Sequence, residues 1–410
     1  MKVWLKLFIG SVLGLALGFI LPHDNPAVFD ALAWLERAAI QIGRYTAVPT
    51  LVFALTIAIY ELRQDNQMWP LLARTFAVLA ASTLFIIGTG ILVTIAFPPA
   101  RIPILIEGQK ESLMLDIGRG FLELFPSNML GALVSDGAYL LPSCVFAFFV
   151  GAGLSFDRTY AKPVISFIDS LSHVFYYIAA FFSEIIGLTM IALGAFWAVR
   201  FHAALEAEVF FEILRLLGIY CLILGVVVLP LFLYLLGPKT NPWKQLYGAL
   251  GPALAGLFSG DLHFTLPILL RHAKENHGVK RRANTVTITV FTVFGRAGSA
   301  MVAAISLIVI IKSYSSLGVT SADIISILAQ ASLVSLLLAR HPGDAAYAGL
   351  AVLCASYGRG FEAGYLILKP IAFYLIAVGT FIDAIVASLG TYAIGRMSGF
   401  QEDKEARHFI

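Results

Sequence analysis

The chain has 410 residues, of which 59% are hydrophobic and 13% charged, with a net charge of +3 and a mean hydropathy of +0.86. A soluble domain carries roughly one quarter charged residues, so this composition excludes a soluble enzyme and makes the chain an integral membrane protein. The positive balance comes from basic residues in short loops, such as Arg271, Lys274, Lys280, Arg281 and Arg282. With no aromatic platform or nucleic-acid module beside them, they read as topological anchors rather than a nucleic-acid surface.

At the N-terminus, Lys2 and Lys6 precede an apolar run from Leu7 to Leu21 that lacks a small-residue cleavage site and ends at Pro22-His23-Asp24. It reads as an uncleaved first span. Within it Gly10, Gly14 and Gly18 fall on one helix face and allow close helix contact. Further segments long and apolar enough to cross a bilayer occur at 39–60, 74–98, 140–156, 164–199, 209–236, 283–312 and 362–395. The longest polar connection runs from Pro98 to Glu123. Cys144, Cys221 and Cys354 lie in apolar spans without paired spacing and read as reduced packing thiols.

Two apolar segments, 245–272 and 321–358, are interrupted by polar clusters: Ser259-Gly260-Asp261-Leu262-His263 and Arg340-His341-Pro342-Gly343-Asp344. Backbone that leaves the helix at membrane depth is tolerated where it is buried in protein or lines a cavity, and a pair of such breaks marks a transporter's substrate site. The expected fold is therefore all-α, with eight transmembrane helices plus two re-entrant helical hairpins in a single membrane domain. An inverted repeat is suggested by topology, not by sequence identity. The distribution of Lys and Arg favours cytoplasmic N- and C-termini, with the first hairpin entering from inside and the second from outside.

Several stretches resemble the dicarboxylate/amino acid:cation symporters, the glutamate-transporter-like family. The run Phe121-Leu-Glu-Leu-Phe-Pro-Ser-Asn-Met-Leu-Gly-Ala-Leu133, followed by Val145-Phe-Ala-Phe-Phe-Val-Gly-Ala-Gly153, is similar to that family's "IPSNP…AL" and "VFAILFGIAL" stretch. Val48-Pro-Thr-Leu-Val-Phe53 is similar to "VVPLVF". Thr265-Leu-Pro267 matches the end of the "SSSGTLP" hairpin tip, Pro342-Gly343 the "GVPG" turn, and Gly298-Ser-Ala300 the Gly-Thr-Ala of "NMDGTAL". The resemblance implies a homotrimer of elevator-type transporters, each with a static scaffold (within 1–240) and a mobile transport core (about 241–397). It also implies transport of amino acids or dicarboxylates with Na+ or H+.

The departures are informative. In place of the three serines and glycine of the tip stand Asp261, Leu262, His263 and Phe264. Where "NMDGT" offers an amide and a carboxylate to sodium, the chain reads Gly295-Arg296-Ala297-Gly298-Ser299. Sodium needs oxygen ligands, so this argues against at least one sodium site. Arg296, mid-span, costs on the order of 3 kcal/mol to insert and must face inward with a partner. Three roles fit it: a stand-in for a bound cation, a bidentate anchor for a substrate carboxylate, or a structural ion pair with Asp383. The last span carries Phe381-Ile-Asp-Ala-Ile385, similar to the family's "IDAIL", but its arginine and acidic substrate ligands fall on Gly, Ala, Ser or Ile here. Acidic-substrate recognition by that helix does not carry over.

The candidate substrate-binding residues are thus Asp261, His263, Thr265, Arg296, Ser299, His341, Gly343, Asp344 and Asp383. Asp261 with His263 could form a proton-linked pair or a hydrogen-bonded loop tip, and Asp383 could carry a proton. Glu184 reads as an interface polar residue. His173, His202 and His277 lack a second ligand at metal spacing, so no metal or other cofactor is expected, with H+ the coupling ion to consider. No Walker loop, Gly-x-Ser-x-Gly, His-Glu-x-x-His or dinucleotide fingerprint occurs, and no enzyme is expected. The reading is a secondary transporter of a small amino acid or dicarboxylate without Na+ dependence; an uncoupled facilitator, an anion channel or a membrane sensor on the same fold are the alternatives.

Overall fold

A computed structural model describes the chain except residues 1, 23–24, 104–121, 135–136, 207, 237–239, 315–318 and 359. The polar connection from Pro98 to Glu123 therefore lies mostly outside the described residues. Among the described residues there is no β-strand, only one isolated bridge between Val279 and Gln401.

The helices are α1 (Val3–Ile20), α2 (Pro26–Arg44), α3 (Ala47–Gln64), α4 (Met68–Ala96), α5 (Leu141–Leu154), α6 (Arg158–Glu206), α7 (Phe211–Ile223), α8 (Leu229–Leu236), α9 (Pro242–Ser259), α10 (Leu262–Glu275), α11 (Arg281–Phe294), α12 (Ala297–Tyr314), α13 (Ser321–Leu337), α14 (Ala345–Tyr357) and α15 (Ala372–Met397). Among the described residues eight helical stretches are long and apolar enough to cross a membrane. Their membership differs from the sequence expectation at two places. The segment expected at 140–156 forms only the 14-residue α5, about 21 Å at 1.5 Å per residue, short of a bilayer core of about 30 Å. The first arm of the second hairpin, 321–340, is instead long enough by itself.

Local chemistry sets the ends. Pro242 opens α9 behind Asn241, whose side chain accepts from the Trp243 and Lys244 amides. That helix stops at Gly260, which takes φ 63°, the left-handed conformation of a C-terminal cap. Asp261 immediately caps α10, so the first hairpin reverses within two residues. The second is opened by a Thr320–Asp323 capping box and turns between Leu338 and Asp344. The span expected at 283–312 is two helices, broken at Gly295-Arg296.

The helices pack in two groups. Helices α1, α2, α3 and α5 gather on the long α6; Gly10, Gly14 and Gly18 lie so close to Gly187, Ile191 and Ala195 that a methyl group on any of them would strike α6 backbone. In the second group α12 is the axis, buried from Ala297 to Ile311 by α4, α15 and both arms of the second hairpin, α13 and α14, while hairpin one and α11 pack on α15. A helix apolar on every side belongs in such a position. Ion pairs join the groups. Glu184 of α6, which also pairs with Lys6 within its own group, meets Arg271 at 2.7 Å; Arg281 meets Asp169 at 2.7 Å and Glu61 at 3.3 Å; Arg282 meets Asp65. Both chain ends meet hairpin one: Lys2 Nζ donates to the Tyr247 hydroxyl, Phe409 stacks on the Tyr247 ring at 5.7 Å, and the Ile410 amide donates to Asn276 at 2.9 Å.

Candidate functional site

The two hairpin tips and the break between α11 and α12 converge. The Leu262 amide donates to the Pro342 carbonyl at 3.3 Å, and a Cβ on Gly343 would sit 3.4 Å from both Arg44 and Asp261. Asp261 is wholly buried. Its Oδ1 accepts from the His263 and Phe264 amides at 2.8 and 3.0 Å, and its Oδ2 accepts from Arg44 Nε at 2.7 Å and from Arg44 Nη2. Four donors saturate this carboxylate. The Thr265 hydroxyl donates to Leu262 O at 2.7 Å within its own helix, and Thr380 ties α15 to the tip by donating to Gly260 O at 3.0 Å.

His263 is also wholly buried, with Nδ1 3.2 Å from the Gly137 carbonyl. A carbonyl only accepts, so Nδ1 carries the hydrogen and Nε2 is a bare acceptor. Nε2 is buried and has no partner. On the second tip, His341 Nδ1 lies 3.0 and 3.1 Å from the two Asp344 oxygens, and Arg340 pairs with Glu123 at 2.8 Å.

Asp383 reaches from α15 to the start of α12. It accepts from the Gly298 amide at 2.6 Å, the Ser299 amide at 3.4 Å and the Ser299 hydroxyl at 2.6 Å. It is thus an N-terminal cap supplied by a neighbouring helix, where the amides and the helix dipole favour an anion. The direct ion pair considered between Asp383 and Arg296 is not made: no guanidinium nitrogen of Arg296 has a hydrogen-bond partner, and Asp383 is held by the start of α12 instead. Arg296 is fully buried, and its Nε, Nη1 and Nη2 have no hydrogen-bond partner. The charges that act on it are Asp383, Asp261 and Asp344 and, repulsively, Arg44.

Of the candidate residues, Asp261, His263, Arg296, Ser299, Gly343, Asp344 and Asp383 are linked by contact or electrostatics, with His341 attached through Asp344. Thr265 points into its own helix. Arg44, which lies inside the span expected at 39–60 and is not among the candidate residues, is the partner of Asp261. A signal was present: apolar residues continue on both sides of it, and an arginine at membrane depth needs an acid. Among the described residues no group of His, Cys, Asp or Glu is placed to hold a metal ion, and Cys144, Cys221 and Cys354 are buried and unpaired.

The sequence profile described as "Sodium:dicarboxylate symporter family" matches residues 3–397. The chain belongs to that family. It is therefore a multi-pass membrane protein of a transporter family. It is 25% identical over 184 residues to the proton/sodium-glutamate symport protein of Bacillus subtilis, an alignment covering 42% of each chain. It is 24% identical over 285 residues to a Caenorhabditis elegans protein named for sodium-dependent excitatory amino acid transport, covering 67% of this chain and 55% of that one. The aligned parts thus span about half the length of these relatives, and identities this low mark a divergent family member.

Proposed function

We propose that this member of the symporter family is a secondary transporter of a small amino acid or dicarboxylate, held by its carboxylate on Arg296, and that its transport does not require Na+. One observation carries the anchoring: a buried guanidinium at a helix break, within electrostatic reach of Asp261 and Asp344 on the two hairpin tips, with all three of its nitrogens unpartnered. Leaving a buried donor unpaired costs about 1–3 kcal/mol, more for a charged group, and a carboxylate accepts two parallel N–H bonds from guanidinium. Had Arg296 replaced a cation that organises the break, its donors would be expected on the carbonyls freed there, and they are not.

The coupling proposal rests on Gly295 and Ala297, which offer no oxygen at positions where the family pattern has Asn and Asp. Proton coupling or facilitated exchange takes its place. The transport step proposed is an elevator motion of the α12-centred group along α1, α3 and α6, in a homotrimer with cytoplasmic termini. A trimeric mass in mild detergent and in lipid is the expected outcome for assembly. A sensor reading has one observation in its favour, the ion pairs that tie the two groups together.

Reconstitution tests the proposal. Purified protein in liposomes should exchange labelled solute from a panel of amino acids and dicarboxylates, and Arg296→Gln should abolish exchange while the protein remains folded. Saturable counterflow separates a carrier from a channel or a sensor. Binding without counterflow overturns the transporter reading.

A further inference from the structure

The unpartnered atoms beside the helix break are of two kinds. Arg296 offers N–H donors only, while His263 offers the opposite, a bare Nε2 acceptor whose tautomer is fixed by the Gly137 carbonyl. The two side chains are within electrostatic reach of each other, and both are 0% exposed. A ligand that satisfies both must carry an acceptor and a donor within one small molecule. A carboxylate next to an ammonium does so; a second carboxylate meets the lone pair of His263 with no hydrogen to give it.

The charge balance points the same way. The charges that act on the Arg296 guanidinium are a second guanidinium, Arg44, and three carboxylates, Asp261, Asp344 and Asp383. The His341 ring can neutralise at most the charge of Asp344, to which it is bonded. The site is therefore neutral or carries one negative charge before any substrate enters. A dianion would add two more negative charges to a buried place, which is expensive; a zwitterion adds none. Asp344 is also the carboxylate with lone pairs to spare: it meets one donor, His341 Nδ1, where Asp261 meets four and Asp383 three, and its side chain is 48% exposed.

We infer that the substrate class is the neutral α-amino acids, bound as zwitterions with the carboxylate on Arg296 and the ammonium between His263 Nε2 and Asp344. This rests on the proposed anchoring at Arg296 and selects one of the two substrate classes named there. His263 would be a specificity-determining residue: it reads the amine and rejects a second acid.

Competition against counterflow in proteoliposomes tests this on the unmodified protein. The competitors are a pool of neutral α-amino acids, their N-acetyl derivatives, their methyl esters, and succinate and malate. The expected result is inhibition by the free amino acids, with the acetylated forms, the esters and the dicarboxylates weaker by about tenfold or more, the loss expected for one charge-assisted hydrogen bond. Succinate or N-acetyl amino acids competing as well as the free amino acids would overturn the zwitterion inference and leave the Arg296 anchor standing. Methyl esters competing as well as the free acids would overturn the anchor itself, and the inference with it. Two variants add a second readout. His263→Leu should raise the KM for amino acids about tenfold or more, while His263→Gln, which keeps an acceptor near the position of Nε2, should stay near the parent value. Equal KM in both variants overturns the role of His263.

Discussion

Arg44 and Asp261 form an ion pair across the two helix groups, with the carboxylate fully buried and the guanidinium side chain 22% exposed. Because Asp261 also caps α10, its neutral analogue Asn keeps the cap and loses only the charge. Arg44→Met should therefore destabilise by on the order of 3 kcal/mol, the cost of an uncompensated buried charge. The double variant Arg44→Met/Asp261→Asn should recover most of that loss. Thermal unfolding in detergent of the two single variants and the double variant measures the cycle; simple additivity would show that the pair contributes nothing.

The cap on α12 makes a second prediction. Asp383→Asn retains one acceptor but loses the charge that the helix start and Arg296 favour, for a loss of about 1–2 kcal/mol. Asp383→Ala removes all three bonds and should cost more, whereas Ser299→Ala, which removes one, should cost about 1 kcal/mol. If Asp383→Ala does not melt lowest of the three variants, the carboxylate is not the cap.

For coupling, uptake should persist when Na+ is replaced by an inert cation on both sides of the membrane. Initial rates measured with Na+ and pH gradients imposed separately decide this. A rate that collapses without Na+ and ignores pH would overturn the assignment made from Gly295 and Ala297.

His277, in the turn beyond α10, gives a pH prediction. Its ring is buried, with Nδ1 3.0 Å from Gln245 Oε1 and Nε2 without a partner. Burial, helped by the nearby His272, pushes its pKa down from 6.5 to about 3. Between those values the unfolded chain binds a proton that the folded one refuses, so stability falls as pH drops below about 6.5. The contribution is about 2 kcal/mol at pH 5. His277→Gln should flatten the decline in melting temperature between pH 7 and pH 5, and an unchanged slope would exclude His277 as its source.

Much of the architecture was legible because apolar length and its interruption are local properties. Ser259 to His263 and Arg340 to Asp344 announced both hairpin tips, and the spacing of Gly10, Gly14 and Gly18 announced a close helix contact. The candidate site, which remains a proposal, was legible as a set of residue types around Arg296, His263 and Asp383. Which atoms were already bonded was not. That Asp383 belongs to the α12 amides, and Asp261 to Arg44, follows from how distant helices approach one another, and two residues 217 apart in sequence leave no periodic trace. The short α5 was missed because apolar composition does not report where a helix ends when Pro142 and Ser155 bound it.

Lys2 and Phe409 contact the same ring, Tyr247, although one leads into the α1 group and the other follows from α15 in the α12-centred group. The two ends of the polypeptide are therefore a ruler laid across the boundary between the groups. Fluorophores placed near residues 2 and 409 start in close proximity. The proposed sliding of one group along the other would break the Arg44–Asp261 pair and lengthen this separation, while labels at the two ends leave Arg296, His263 and the hairpin tips unmodified, so single-molecule energy transfer in a membrane tests for that motion before any substrate is known.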